Sequence, residues 1–199
     1  MSDIPIILLA AGQSRRMAGS DKLLQSVDGM PLLRRSAQTA LQAGPVIVAL
    51  PNAPHPRDAA LKGLDVVTAR IANAEEGMNA SLRGALRHLP SNARAVMVLL
   101  ADLPEITADD LKRVLAAVDD HPDNLIWRGA TETGKPGHPV IFARQLFGVL
   151  NRLTGDAGAQ SVVRSHQDKV FIQPLPDQNA LLDLDTPDDW ARWRADRSV

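Results

Sequence analysis

The sequence predicts a three-layer α/β domain built around a mostly parallel sheet. Short apolar runs recur along the first half without polar alternation, as strands buried on both faces do. Amphipathic stretches of helical period lie between them. A chain that alternates strand and helix in this way closes its parallel crossovers with helices on both faces of the sheet. The 199 residues fit one domain, with 45% hydrophobic and 23% charged residues.

The strand candidates are Ile6-Ile7-Leu8-Leu9, Val46-Ile47-Val48-Ala49-Leu50 and Val96-Met97-Val98-Leu99-Leu100. A weaker one is Leu64-Asp65-Val66-Val67. Leu33, Ala37, Ala40 and Leu41 share one helical face; Leu82, Ala85, Leu86 and Leu89 share a second, and Leu111, Val114, Leu115 and Val118 a third. Thr107 with Asp110 gives the third helix a capping-box start. Thr186, Pro187 and Asp189 open a last helix in the same manner, with proline at the first helical position. In the less regular second half, Leu125-Ile126-Trp127 and Pro139-Val140-Ile141-Phe142 read as strands around a polar loop from Thr131 to Gly137. Lys169 to Gln173 and Leu181 to Leu184 read as two more. Pro51, Pro54 and Pro56 stiffen one loop.

Composition excludes several classes. Lys and Arg number 22 against 23 Asp and Glu, so no basic footprint for nucleic acid exists. Aromatic residues are 3% with no Tyr, too few for a base-stacking platform. There is no Cys, which removes disulfides, thiolate metal sites and a Cys nucleophile. The apolar run from Ile4 to Ala11 is too short to span a membrane, and no basic segment precedes it. The expectation is a cytoplasmic protein without nucleic-acid or membrane partners.

The segment Leu9-Ala10-Ala11-Gly12-Gln13-Ser14-Arg15-Arg16-Met17, followed by Lys22, carries the strongest chemical signal. A buried strand ends in small residues, turns through Gly12 and sets three cations nearby. In an open α/β sheet the carboxyl ends of strands form the ligand crevice. Small side chains let backbone N–H groups approach phosphate, and cations neutralise it. A plain βα turn with solvated basic residues has the same composition, and the dinucleotide and P-loop fingerprints are both missing. Asp102 follows a strand, where a carboxylate can hold Mg2+ against phosphates; a turn Asp before Pro104 reads about as well. Asp183 and Asp185 flank Leu184, so alternation points both to one face.

The run LAAGQSRRM with its following DK closely resembles the signature loop of the molybdenum cofactor cytidylyltransferase family and its guanylyltransferase relatives. The resemblance continues through Leu100-Ala101-Asp102-Leu103-Pro104, Gly137-His138-Pro139-Val140-Ile141-Phe142, Gly155-Asp156-x-Gly158-Ala159 and Leu184-Asp185-Thr186-Pro187-Asp188-Asp189-Trp190. These motifs cover nearly the whole chain in the family's order. Two positions depart from it: Ala18 stands where the family usually has Gly, and Gln160 where Arg is common.

The resemblance implies a Rossmann-like nucleotidyltransferase fold in a single domain over 1–199, with 1–105 mainly NTP-binding and 106–199 mainly acceptor-binding. It implies transfer of CMP from CTP to the terminal phosphate of molybdopterin, giving molybdopterin cytosine dinucleotide and pyrophosphate. Lys22, Arg16 and Asp102 would be catalytic, with Asp102 and Asp185 holding Mg2+. Leu9, Ala10, Ala11, Gly12, Lys22, Gly77, Asn79 and Ser81 would bind the nucleotide, and His138 with Gly137 the acceptor. Asp183 has no counterpart role and is read as structural or supporting. A molybdoenzyme receiving the product is the expected protein partner. The guanylyltransferase loop usually reads Leu-Ala-Gly-Gly, so Ala11 favours CTP. A rival of another class is a non-catalytic molybdopterin chaperone, against which intact Lys22, Asp102 and Asp185 argue.

Overall fold

The computed structural model describes residues 3–155 and 158–197. Strand β1 (Ile6–Leu9) enters first, and a small antiparallel pair follows, β2 (Ser26–Val27) and β3 (Met30–Pro31). Asp28 and Gly29 turn between that pair with φ of 50° and 82°, the twin positive values of a tight hairpin turn. Next come α1 (Leu32–Leu41), β4 (Val46–Pro51), α2 (Arg57–Leu61), β5 (Val67–Ile71), α3 (Met78–Leu86) and β6 (Ala95–Leu100). The second half holds α4 (Ala108–Asp120), β7 (Ile126–Ala130), β8 (Pro136–Ala143), α5 (Phe147–Leu150), α6 (Gln160–Ser165), β9 (Val170–Pro174) and α7 (Pro187–Asp196).

Seven strands form one sheet in the order β5-β4-β1-β6-β8-β7-β9. β8 runs antiparallel to both neighbours, and every other pairing in this sheet is parallel. One face packs against α1, α4 and α7 through Leu33, Val114 and Trp190. The other packs against α3, α5 and α6 through Leu82, Leu150 and Val162. The two cores explain the unalternated sequence of β1: Ile6 and Leu8 enter one core and Ile7 the other, all fully buried. Both expected capping boxes are present, Thr107 with Asp110 and Thr186 with Asp189. No helix among the described residues is long and apolar enough to cross a membrane.

Three expectations need correction. The weak strand placed at Leu64–Val67 forms later, as β5. β5 is an edge strand whose Thr68 and Arg70 stay exposed, so no apolar run marks it. The loop read from Thr131 to Gly137 is shorter, because β8 begins at Pro136. Leu181–Leu184 is not a strand. Its amides are satisfied by a local turn, Leu181 and Leu182 N–H donating to the Gln178 carbonyl, and by Leu184 N–H donating to the Asp102 carbonyl at 3.3 Å.

The strand order reverses beside β1, which has β4 on one side and β6 on the other. The carboxyl ends of β1 and β6 therefore open a crevice at the switch point, where ligands of doubly wound sheets bind.

Candidate active site

The loop after β1 is shaped by backbone conformations that most residues avoid. Ser14 and Ala18 have φ of 50° and 48°, and Gly19 has 89°. Ser14 Oγ accepts from the Lys22 amide at 3.2 Å, and Asp21 accepts from the Leu23 amide at 3.0 Å. These bonds close the loop and start the short 3-10 turn Lys22–Leu24. Arg57, only 2% exposed, lies beneath it. Its guanidinium donates to the Ala10 carbonyl at 2.6 Å and twice to Asp21 at 2.8 Å.

Lys22 then reaches across the crevice. Its Nζ donates to Asp102 and, at 2.5 Å, to Asp185 Oδ1. Arg16 donates to the other oxygen of Asp185. Burial opposes the Lys22 charge, but Asp102 and Asp185 outweigh it and raise its pKa above the ordinary lysine value. The Leu184 amide pins its segment to Asp102, and the Leu184 side chain enters the core at 2% exposure. Asp183 and Asp185 both lie beside Asp102. One oxygen from each of Asp102, Asp183 and Asp185 lies within 4.8 Å of the others. Burial, then the charges of Asp185 and Asp102, raise the Asp183 pKa.

This donor set fits a divalent cation. Three carboxylates are the hard oxygen ligands that Mg2+ or Mn2+ takes. Asp102 Oδ1 is buried with no hydrogen-bond partner among the described residues, which is costly for a carboxylate without a cation.

A cavity of about 270 Å3 opens beside this cluster. Leu9, Ala10, Ala11, Gly12, Lys22, Gly77, Ser81 and Asp102 all line it, so one space gathers most of the nucleotide-site residues expected from sequence. Gly77 has φ of 100° at the start of α3, a conformation that requires glycine there. Asn79 does not line this cavity; it is buried and donates to the Thr154 carbonyl at 2.8 Å.

A second cavity of about 250 Å3 adjoins the first, sharing Leu9 and Met78. His138 lines it. Burial depresses the His138 pKa to about 4, while its Nδ1 lies 3.5 Å from the Val98 carbonyl. A neutral imidazole therefore faces this space at pH 7. Gly137 is not among its lining residues. A Cβ at position 137 would stand 2.1 Å from the Ala180 carbonyl oxygen, so glycine lets β8 approach the 178–180 turn. In the Gly155-to-Ala159 motif, Asp156 lies outside the described residues.

The family described as the MobA-like NTP transferase domain matches residues 6–170. The chain belongs to this family. The crystal structure of Rv0371c from Mycobacterium tuberculosis H37Rv superposes with a TM-score of 0.83 at 31% identity, covering 95% of each chain. The same protein has been solved in complex with manganese. A molybdenum cofactor guanylyltransferase of Rhodobacter capsulatus is 30% identical over 195 residues, 94% of this chain and 92% of its own length. The purine catabolism protein PucB of Bacillus subtilis is 27% identical over 197 residues, 92% of either chain. The match to the bifunctional protein GlmU of Sorangium cellulosum, 28% identical over 171 residues, spans only 34% of that protein.

The resemblance gave no role to Asp183, although its spacing from Asp185 already put both on one face. Arg57 carried no sequence signal, because it lies in no motif.

Proposed function

We propose that this chain transfers CMP from CTP to the terminal phosphate of molybdopterin, giving molybdopterin cytosine dinucleotide and pyrophosphate. The observation that carries this reading is Lys22 bridging Asp102 and Asp185 at the edge of the cavity lined by Leu9 to Gly12. The cavity beside it, holding His138, supplies room for an acceptor.

In the proposed reaction an oxygen of the acceptor phosphate attacks the α-phosphorus of the nucleotide. The bond from that phosphorus to the oxygen bridging to the β-phosphate breaks, and pyrophosphate leaves with the electron pair. The attacking phosphate is already ionised at neutral pH, so no general base is required. This agrees with His138, which is neutral and serves as a wall of the pocket, with Gly137 fixing the strand behind it. Positioning and charge neutralisation carry the catalysis.

Lys22 and Arg16 hold phosphate oxygens, and both are already drawn to the crevice by Asp185. Asp102, Asp183 and Asp185 would hold Mg2+, which when bound would neutralise charge on the nucleotide phosphates. The small residues Ala10, Ala11 and Gly12 bring backbone close to the nucleotide, and Gly77 and Ser81 form the facing wall. Asn79 supports that wall through Thr154. Residues 1–105 supply most of the NTP site and 106–199 most of the acceptor site. The two halves interlock, since Asp185 meets Lys22 and Leu82 lines the acceptor cavity. A reaction drawing on CTP belongs in the cytoplasm, with a molybdoenzyme taking up the product.

Guanylyl transfer is the second reading, favoured by relatives named guanylyltransferases. The test is pyrophosphate release with molybdopterin and Mg2+, comparing CTP, GTP and ATP. A CTP preference of about tenfold or more supports the cytidylyl reading. A GTP preference replaces it with the guanylyl reading. Molybdopterin binding without any release makes the chain a carrier.

A further inference from the structure

The second cavity is walled mainly by apolar side chains, Val98, Val140 and Phe142 among them. Among its described lining residues, Arg128 is the one charged group. Arg128 lies on β7 in register with Val140 of β8, and His138 is two residues along β8, so both side chains share one face of the sheet. The guanidinium donates to the Gly137 carbonyl at 2.8 Å and to the Pro136 carbonyl at 3.5 Å. No carboxylate among the described residues pairs with it. Burial pulls its pKa below the ordinary arginine value, yet a guanidinium keeps its charge at any physiological pH.

A half-buried guanidinium without a counter-ion is costly. His138 does not offset it, being neutral. Lys22 and Arg16 lie on the nucleotide side, paired with Asp102 and Asp185, and Arg15 lines the nucleotide cavity. Two polyanionic substrates that must meet repel each other, and Arg128 is the one Lys or Arg among the described residues lining the acceptor-side cavity. The fork of donors on an arginine matches phosphate geometry.

We propose that Arg128 is the anion anchor of the second cavity, binding the phosphate monoester of the acceptor and holding it for attack on the nucleotide. This rests on the reading above that the second cavity receives the acceptor. It adds a binding residue on β7, outside every motif of the sequence. The Gln160 side of the cavity, at the start of α6, faces the same ligand.

The test measures acceptor and nucleotide separately in wild type, Arg128→Gln and Arg128→Lys, each checked for its melting temperature. Molybdopterin is titrated into protein loaded with Mg2+ and a CTP analogue carrying methylene between the α- and β-phosphates. Steady-state KM values for molybdopterin and CTP are measured in parallel. Arg128→Gln is expected to raise the molybdopterin Kd and KM by about tenfold or more, with the CTP KM within about twofold of wild type. An unchanged molybdopterin Kd overturns the assignment, as does equal weakening of both substrates. If Arg128→Gln does not fold, Arg128→Lys decides: the charge remains but the fork is lost, so acceptor binding should fall several-fold. Wild-type acceptor affinity in a folded Lys variant overturns the proposal. Sugar phosphates are tested in the same way. If wild type binds one of them instead of molybdopterin, and Arg128→Gln weakens it, the molybdopterin reading fails while the Arg128 assignment stands. If wild type binds no phosphate monoester, both fail.

Discussion

Arg57 grips Asp21 through two hydrogen bonds of 2.8 Å while also donating to the Ala10 carbonyl at 2.6 Å. One guanidinium thus ties the beginning of the signature loop to its end, immediately before Lys22. Burial works against the Asp21 charge, but Arg57 overrides it and lowers the Asp21 pKa. Removing Arg57 leaves the part-buried Asp21 charged, with only the Leu23 amide and the Ser14 hydroxyl as partners. Arg57→Ala should therefore cost about 3–5 kcal/mol of stability. Urea unfolding with two spectroscopic probes measures it. A loss under about 1 kcal/mol would make the pair a surface-like contact.

Ala18 has φ of 48°, a region that penalises a Cβ. The resemblance already marked this position as one where glycine is usual, and the backbone gives the reason. Ala18→Gly should stabilise the folded protein by up to about 1 kcal/mol, the strain relief exceeding the added freedom of the unfolded chain. Thermal melts at equal pH check the sign. A lower melting temperature would mean that the loop is unstrained at Ala18.

The acidic cluster predicts a division of labour. Asp102→Asn and Asp185→Asn should each reduce turnover by about a hundredfold or more, since each removes charge from the cation site. Asp183→Asn should also weaken metal binding, visible as a higher Mg2+ concentration at half-maximal rate. Lys22→Ala should impair nucleotide binding, transfer or both. Its melting temperature is measured on the same preparations, so that turnover is expressed per folded molecule. Normal turnover per folded molecule in any of these variants would remove that residue from the site.

The layers of the fold were legible because β1, β4 and β6 are buried on both faces and so are written as unbroken apolar runs. β5 was displaced because an edge strand keeps polar residues such as Thr68 and Arg70 at its surface. The Leu181–Leu184 reading mistook core anchoring for a ladder: Leu184 is buried, yet its amide bonds to a carbonyl outside any strand. The hairpin of β2 and β3 had a signal, Asp28-Gly29, that apolar periodicity does not weigh. Within the site, the signature loop and Asp102 stand at strand ends, but position alone reads equally as plain turns, and the resemblance singled them out. Arg57 meets partners 36 and 47 residues away in sequence, and nothing local distinguishes it from a solvated arginine.

His138 supplies a pH-dependent term in stability. Its pKa falls from an ordinary 6.5 to about 4 on folding, through burial. The unfolded chain takes up this proton as pH drops below the unfolded value, while the native state refuses it. The contribution is therefore complete above pH 6.5, declines as pH falls toward 4 and then levels off. Its full size is on the order of 3 kcal/mol. The Asp189 cap, held at about 2 by its bond with Thr186, titrates below this window and does not mask it. Urea midpoints across the window should fall more steeply for wild type than for His138→Gln. Parallel curves would mean that His138 titrates alike in both states.

On the cytidylyl reading base choice turns on Ala11, which lines the nucleotide cavity and is buried against the core. A β-carbon at position 11 takes up space that glycine would leave open, and a purine needs more room than a pyrimidine. Pocket shape of this kind discriminates by about 2–3 kcal/mol, or tens- to hundredfold. Ala11→Gly should thus relax the preference for CTP over GTP without inverting it, because hydrogen bonds to the base edge must come from other segments. The measurement is the ratio of kcat/KM for CTP and GTP in wild type and variant. Losing one buried methyl also costs about 1 kcal/mol of stability, so the ratio is compared at a temperature where both proteins are fully folded. An unchanged ratio would place discrimination elsewhere in the cavity, with the wall around Gly77 and Ser81 the next position to vary.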